Sequence, residues 1–177
     1  LFPRAHAVAY VMMAFRIAWF KVYHPLAFYA AYFSIRAKAF DLRIMTGDLK
    51  TQMTEFNRIK ALDRGASPKD KDLMSALEVS MEMYQRGYRF VNVDIQHSEA
   101  RRFSIKDGAL LPPFLAIDSL GETVADAIVA EREERPFTSL KDLQRRCKVS
   151  NTIIDLMKDL KCCGELPEDE QMSLFGA

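Results

Sequence analysis

The chain has 177 residues and a mass of 20.3 kDa, with 49% hydrophobic and 28% charged residues, enough for one large domain or two small ones around a buried core. Its 25 Lys and Arg stand against 24 Asp and Glu, a net charge of +1 that excludes both a histone-like basic coat and an acidic solvating chain.

Taken from the N-terminus, the first quarter is basic: Arg4, Arg16, Lys21, Arg36, Lys38 and Arg43 are opposed by Asp41 alone. Strong helix formers with apolar residues on most faces predict one buried helix from Arg4 to His24, with Pro3 suited to its first turn. Pro25 fits the first position of a second, aromatic-rich helix to about Ile35, so a helical hairpin is expected. Leu49, Met53, Phe56 and Ile59 recur near helical spacing between Gly47 and Leu62. Ser67-Pro68-Lys69-Asp70 reads as a capped helix start, and that helix should end at Gly87.

The period then changes. Residues 90–95 and 102–105 alternate, and Lys106-Asp107-Gly108 is a turn signal, so a small β-ribbon is expected there. After Pro112-Pro113, Leu120-Gly121 precedes a helix from Glu122 to about Glu134 with Val124, Ala125, Ile128 and Val129 inside. Shorter helices are expected around Leu140–Arg146 and Thr152–Leu160. From Gly164 onward, four acids (Glu165, Glu168, Asp169, Glu170) without periodicity predict a tail that stays disordered until something binds it.

Three cysteines, Cys147, Cys162 and Cys163, suit neither a disulfide scaffold nor zinc spacing, so a reduced, cytoplasmic chain is expected. The apolar stretch Ala7–Phe20 is broken by Arg16, flanked by Arg4, His6 and Lys21, and stopped at Pro25. It falls short of ~20 uninterrupted apolar residues, and no membrane span is expected. The chain opens on Leu1 and reads as a fragment.

A self-contained active site is not visible: no Gly-rich phosphate loop, no nucleophile elbow and no metal-spaced cluster. Three other features carry chemistry. Arg4 and His6 place positive or protonatable groups at a helix N-terminus, an arrangement that becomes favourable if an anion such as phosphate docks there; the competing reading is an exposed Arg4 and a core His6 and Tyr10. Ile117-Asp118-Ser119-Leu120-Gly121-Glu122-Thr123 fits a helix-hairpin-helix turn of the type hydrophobic, x, Gly, hydrophobic, Gly, with Ser119 at the first glycine position. Such a turn offers backbone N–H groups to DNA phosphate without reading bases. Cys147 to Asn151, with Lys148 and Ser150, is either a second, glycine-free hairpin or a packing turn. Gln171-Met172-Ser173-Leu174-Phe175 is an amphipathic cluster in an acidic tail, as in a linear docking peptide.

Phe2-Pro3-Arg4-Ala5-His6-Ala7, Ala9-Tyr10, His24-Pro25-Leu26, Leu111-Pro112-Pro113-Phe114, Ala130-Glu131-Arg132-Glu133-Glu134 and Gln171 to Phe175, in this order, resemble the C-terminal end of PolC-type replicative DNA polymerase III of low-GC Gram-positive bacteria. The resemblance implies a mainly α fold with a small β-ribbon, in three parts. Residues 1–88 would be the C-terminal part of the fingers, with Phe2, Arg4, His6 and Tyr10 near the incoming dNTP; Arg4 stands where the family has lysine, keeping the charge but replacing a point donor by a planar fork. Residues 89–164 would be a tandem helix-hairpin-helix domain holding primer-template duplex through Ser119, Gly121, Glu122, Thr123, Lys148, Ser150 and Asn151. Residues 165–177 would be a flexible tail whose Gln171, Met172, Ser173, Leu174 and Phe175 bind the sliding clamp, with Met172 where leucine is commoner. Nucleotidyl transfer would rest on palm carboxylates and two Mg²⁺ ions outside this chain, which alone should be inactive. The alternative is a stand-alone, non-sequence-specific DNA-binding or adaptor module.

Overall fold

A computed structural model describes residues 3–169. Helices α1 (Arg4–Tyr23) and α2 (Pro25–Ile35) form the expected hairpin, with Pro25 at the start of α2. A short helix α3 (Leu42–Met45), not anticipated from the sequence, is nucleated by the Asp41 side chain, which accepts the Ile44 amide at 3.0 Å. Helices α4 (Leu49–Ala61) and α5 (Pro68–Gln85) follow. Helix α5 opens on the full reciprocal cap: the Asp70 amide donates to Ser67 Oγ at 3.1 Å and the Ser67 amide to Asp70 Oδ2 at 3.0 Å.

The small β-ribbon is present, with its turn where Lys106-Asp107-Gly108 signals it. Strand β1 (Ser104–Lys106) pairs antiparallel with β2 (Ala109–Leu111), while Phe90 makes only an isolated bridge to Leu110. The reason is local: Asp107 (φ 50°) and Gly108 (φ 75°) form a two-residue turn that joins the nearest flanking residues. A 3-10 turn (Phe114–Ala116) then leads to α6 (Glu122–Glu134), α7 (Leu140–Cys147) and α8 (Asn151–Asp159).

Two apolar clusters hold the chain. One joins Tyr29, Phe33, Met45, Ile59, Leu77 and Met83 with Phe90 and Leu110. The other gathers Phe114, Ile117, Ile128, Leu143, Ile154 and Met157, and recruits Leu42 from the N-terminal half. Phe40 touches both, and its ring lies 5.1 Å from Phe90 and 5.0 Å from Phe103. The buried Gln52 of α4 is fully used: it donates to the Met45 carbonyl at 3.1 Å and accepts the Ser80 hydroxyl at 2.6 Å.

Two expectations fail here. Helix α1 is not buried: Tyr10, Phe15, Trp19 and Tyr23 lie between 49% and 72% exposed, because only its C-terminal turn meets other elements. Lys21 pairs with Glu82 at 2.6 Å, and Arg86 donates to the Lys21 carbonyl at 2.9 Å. The helix also has the length and composition of a membrane span, since its three cations are too dispersed to break the apolar average. The start of the tail, in turn, is docked. The Leu140 and Lys141 amides donate to the Pro167 and Glu168 carbonyls at 2.9 and 3.2 Å, so the first-turn donors of α7 find acceptors in the tail.

Candidate nucleic-acid interface

The turn before α6 takes the conformation the hydrophobic-x-Gly-hydrophobic-Gly pattern requires, without the first glycine. Ser119 sits at φ 63°, in the left-handed region where glycine is preferred. Leu120 is buried and pins the turn to the core, while Gly121 at φ −76°, ψ 156° is the N-cap of α6. No side chain caps that helix. A Cβ placed on Gly121 meets no atom within 4 Å, so the surface over the cap is open.

The turn before α8 repeats this backbone geometry, with the difference that the Ser150 hydroxyl accepts the Ile153 amide whereas no side chain caps α6. Lys148 is left-handed at φ 54°, Val149 is buried, and Ser150 caps α8 at φ −71°, ψ 155°. The Ser150 carbonyl receives the Ile153 and Ile154 amides at 3.1 and 3.0 Å, as the Gly121 carbonyl receives Val124 and Ala125 at 3.1 and 3.0 Å. Between the two readings of Cys147–Asn151, the hairpin geometry is the one found. Along the helices, Ala125 and Ile128 match Ile154 and Met157 as buried contacts, with Val124 and Val129 half-buried beside them. The internal repeat is invisible at the level of identity because serine, lysine and valine replace glycine and leucine in one or other copy.

Exposure separates anchors from presented groups. Ser119, Gly121, Glu122, Thr123, Lys148, Ser150 and Asn151 are all exposed. Gln144 donates to the Asn151 side-chain oxygen, drawing that side chain back along α7. Sequence reasoning missed Arg101: its guanidinium grips Asp126 and meets Glu122 Oε2 at 2.6 Å, at the first turn of α6. The Arg101 hydrogen bond holds the Asp126 carboxyl below the usual range, and the cluster of Arg101, Asp126 and Glu122 braces the first turn of α6. No local sequence signal marks it, because the pair spans a turn, a strand pair and a loop. Arg132 ties the far end of α6 down, donating to the Ile95 and Ser98 carbonyls at 3.0 and 2.9 Å.

A buried charge supports α7. Asp142, 2% exposed, faces Arg135, Arg145 and Arg146 at 3.3, 2.9 and 3.3 Å. Burial pushes its carboxyl up, but hydrogen bonds from Arg145, the Thr138 amide and Arg146 together outweigh this and hold it below the ordinary range. Burial likewise pushes the thiols of Cys147, Cys162 and Cys163 up to about 11, 12 and 11, so all three are free, buried and protonated at neutral pH.

At the other end, Arg4, His6 and Tyr10 share α1, and the His6 and Tyr10 rings meet edge to face at 4.5 Å. Both lie on the surface, so neither is a core residue. Phe2 and Gln171, Met172, Ser173, Leu174 and Phe175 fall outside the described residues. Among the described residues no group of three or more His, Cys, Asp or Glu could hold a metal ion, so the Mg²⁺ expected for a polymerase is not matched by a donor set here.

Residues 87–171 match the helix-hairpin-helix motif family. Relatives named DNA polymerase III PolC-type align with 99% of the chain: that of Caldanaerobacter subterraneus subsp. tengcongensis is 47% identical over 175 residues. Those of Streptococcus suis and Streptococcus pyogenes serotype M12 are 48% and 46% identical over 178 residues. The chain spans 12% of the length of each. Mainly helical, with one two-stranded ribbon and a helix-hairpin-helix motif, the chain thus matches a segment of PolC-type DNA polymerase III over nearly its whole length.

Proposed function

We propose that this chain is the C-terminal part of a DNA-directed DNA polymerase and that its tandem hairpins grip primer-template duplex without reading sequence. The observation that carries this is the repeated turn: a left-handed residue, a buried apolar anchor and an extended, exposed cap open two helices. The first-turn amides of such helices donate to phosphate oxygens, and backbone donors sense charge and spacing rather than base identity. Lys148 adds long-range attraction beside the second of them.

In the parent enzyme, residues 1–88 would belong to the fingers, with Arg4, His6 and Tyr10, and Phe2 before them, toward the incoming dNTP. Residues 89–164 would hold the duplex, and residues 165–177 would carry the sliding-clamp motif. Mg²⁺ would be held by palm residues outside this chain and would supply charge neutralisation at the transferred phosphate. The exposed apolar surface of α1 favours this assembly, in the cytoplasm, over a stand-alone module, because monomeric soluble proteins rarely leave so large an apolar patch uncovered.

Titrating labelled duplexes of unrelated sequence with the chain tests the reading. Affinities equal across sequences and falling steeply with salt are expected; a salt-independent or sequence-selective isotherm would sink it. Clamp docking is tested separately with a Leu166–Phe175 peptide and its Leu174→Ala, Phe175→Ala variant. Binding abolished by the substitutions is expected, and equal behaviour of both peptides removes the motif assignment.

A further inference from the structure

Four consecutive tail residues lie along the end of the α7–α8 layer. Leu166 packs on the apolar core, Pro167 and Glu168 give their carbonyls to the Leu140 and Lys141 amides, and Glu168 and Asp169 give their carboxylates to Lys158 and Lys141. The Lys158–Glu168 pair is 2.7 Å long. A cleft of ≈ 510 Å³ at the start of α7 is lined by Ser139, Lys141, Asp142, Gln144, Arg145 and Asp169. Without the tail, two lysines and the Leu140 and Lys141 amides would share this face and attract a polyanion.

The amides that the tail occupies lie away from both hairpin turns, while the cleft reaches toward the second through Gln144, which bonds Asn151. The tail meets residues 140 and 141, whereas the second hairpin turn is at residue 148, at the other end of α7 about 12 Å away at ~1.5 Å per residue. The first hairpin opens α6 at residue 122, and α6 ends at residue 134, next to the loop that enters α7.

We propose that residues 166–169 are an intramolecular mask: their carboxylates and carbonyls fill a phosphate-attracting face at the wrong end of the domain and so confine duplex to the hairpins. The mask imitates its competitor. Two carboxylates neutralise Lys141 and Lys158, and two carbonyls occupy amides that would otherwise donate to phosphate oxygen. Covalent attachment gives the tail an effective concentration in the millimolar range for a short tether, above that of free duplex at ordinary working concentrations. The pairs are exposed and individually weak, so the mask is reversible.

The inference rests on duplex being the ligand of the hairpins, and the test separates the two. Full-length chain is compared with Glu168→Gln, Asp169→Asn, substitutions that keep the tail's length and leave the core untouched. Hydrogen exchange at the Leu140 and Lys141 amides reports the tail, and duplex titration across salt reports the face. Faster exchange at both amides, duplex affinity raised at least threefold at low salt and a log–log salt slope steeper by about two are expected, since each added phosphate contact contributes ~0.9 to that slope. Unchanged affinity and slope, with or without faster exchange, overturns the mask. If the unsubstituted chain binds no duplex while the variant does, the hairpin reading fails and the mask stands.

Discussion

Replacing Gly121 by alanine separates function from stability at the first hairpin. The native backbone there, φ −76° and ψ 156°, is open to any residue, and the added Cβ meets no atom within 4 Å. The folded-state cost is therefore the weaker N-cap preference of alanine, about 0.5–1 kcal/mol, which lowers Tm by no more than about 4 °C in a chain of this size. Binding suffers more. On the proposed reading a phosphate approaches the backbone closely at this cap, and the added methyl group takes up part of that open surface. Losing one charge-assisted hydrogen bond is worth about 1.5–3 kcal/mol, roughly a 10- to 150-fold fall in duplex affinity. Fluorescence anisotropy with a labelled duplex at low salt, beside a thermal melt, reads both quantities. An affinity within twofold of the unsubstituted chain, at a normal Tm, refutes the reasoning.

Ser119→Gly should raise stability by about 0.5–1 kcal/mol in denaturant titration, because a left-handed serine is strained where glycine is not, and should leave duplex affinity unchanged. Lys148→Glu should weaken duplex binding at least fivefold and flatten its salt slope, with an unchanged circular dichroism spectrum; an unaltered slope confines the grip to the first hairpin. Asp142→Asn leaves three guanidiniums around a neutral amide and should cost about 2 kcal/mol by urea titration, below the usual range for a broken buried pair because Arg135 and Arg145 are more than half exposed. The native Asp142 carboxyl is depressed, so its contribution is full above the unfolded value near 4 and is lost as pH falls through the lower folded value. The stability difference between the two proteins should accordingly shrink below about pH 4.

Much of this fold is legible because local chemistry decides it. Proline at the starts of α2 and α5, the Ser67–Asp70 box and the periodic apolar residues of α6 each specify an element without outside help. Helix α3 was missed because four residues are too few to show a period, and only the Asp41 cap marks it. The ribbon is legible from its tight Asp107-Gly108 turn, which also decides which residues pair. Helix α1 reads as buried because composition registers apolar surface but not whether this chain supplies anything to cover it.

The candidate site divides in the same way. The first hairpin is visible from Gly121 and its flanking apolar residues, and the second emerges only once Lys148 is seen to share the left-handed geometry of Ser119. Arg101 lies 21 residues from Glu122 in sequence, a separation no local pattern spans. The docked tail is hidden because its two main bonds are made by backbone carbonyls, which any sequence possesses.

The central claim, that two equivalent helix N-termini take duplex phosphate, is tested most directly by mapping backbone amide perturbation on adding duplex to the full chain. The account predicts coincident shifts and exchange protection at Glu122 and Thr123 and at Asn151 and Thr152, saturating together at one affinity for duplexes of unrelated sequence. Perturbation confined to α1 or to the Lys141–Lys158 face, with both sets of hairpin amides unchanged, contradicts it.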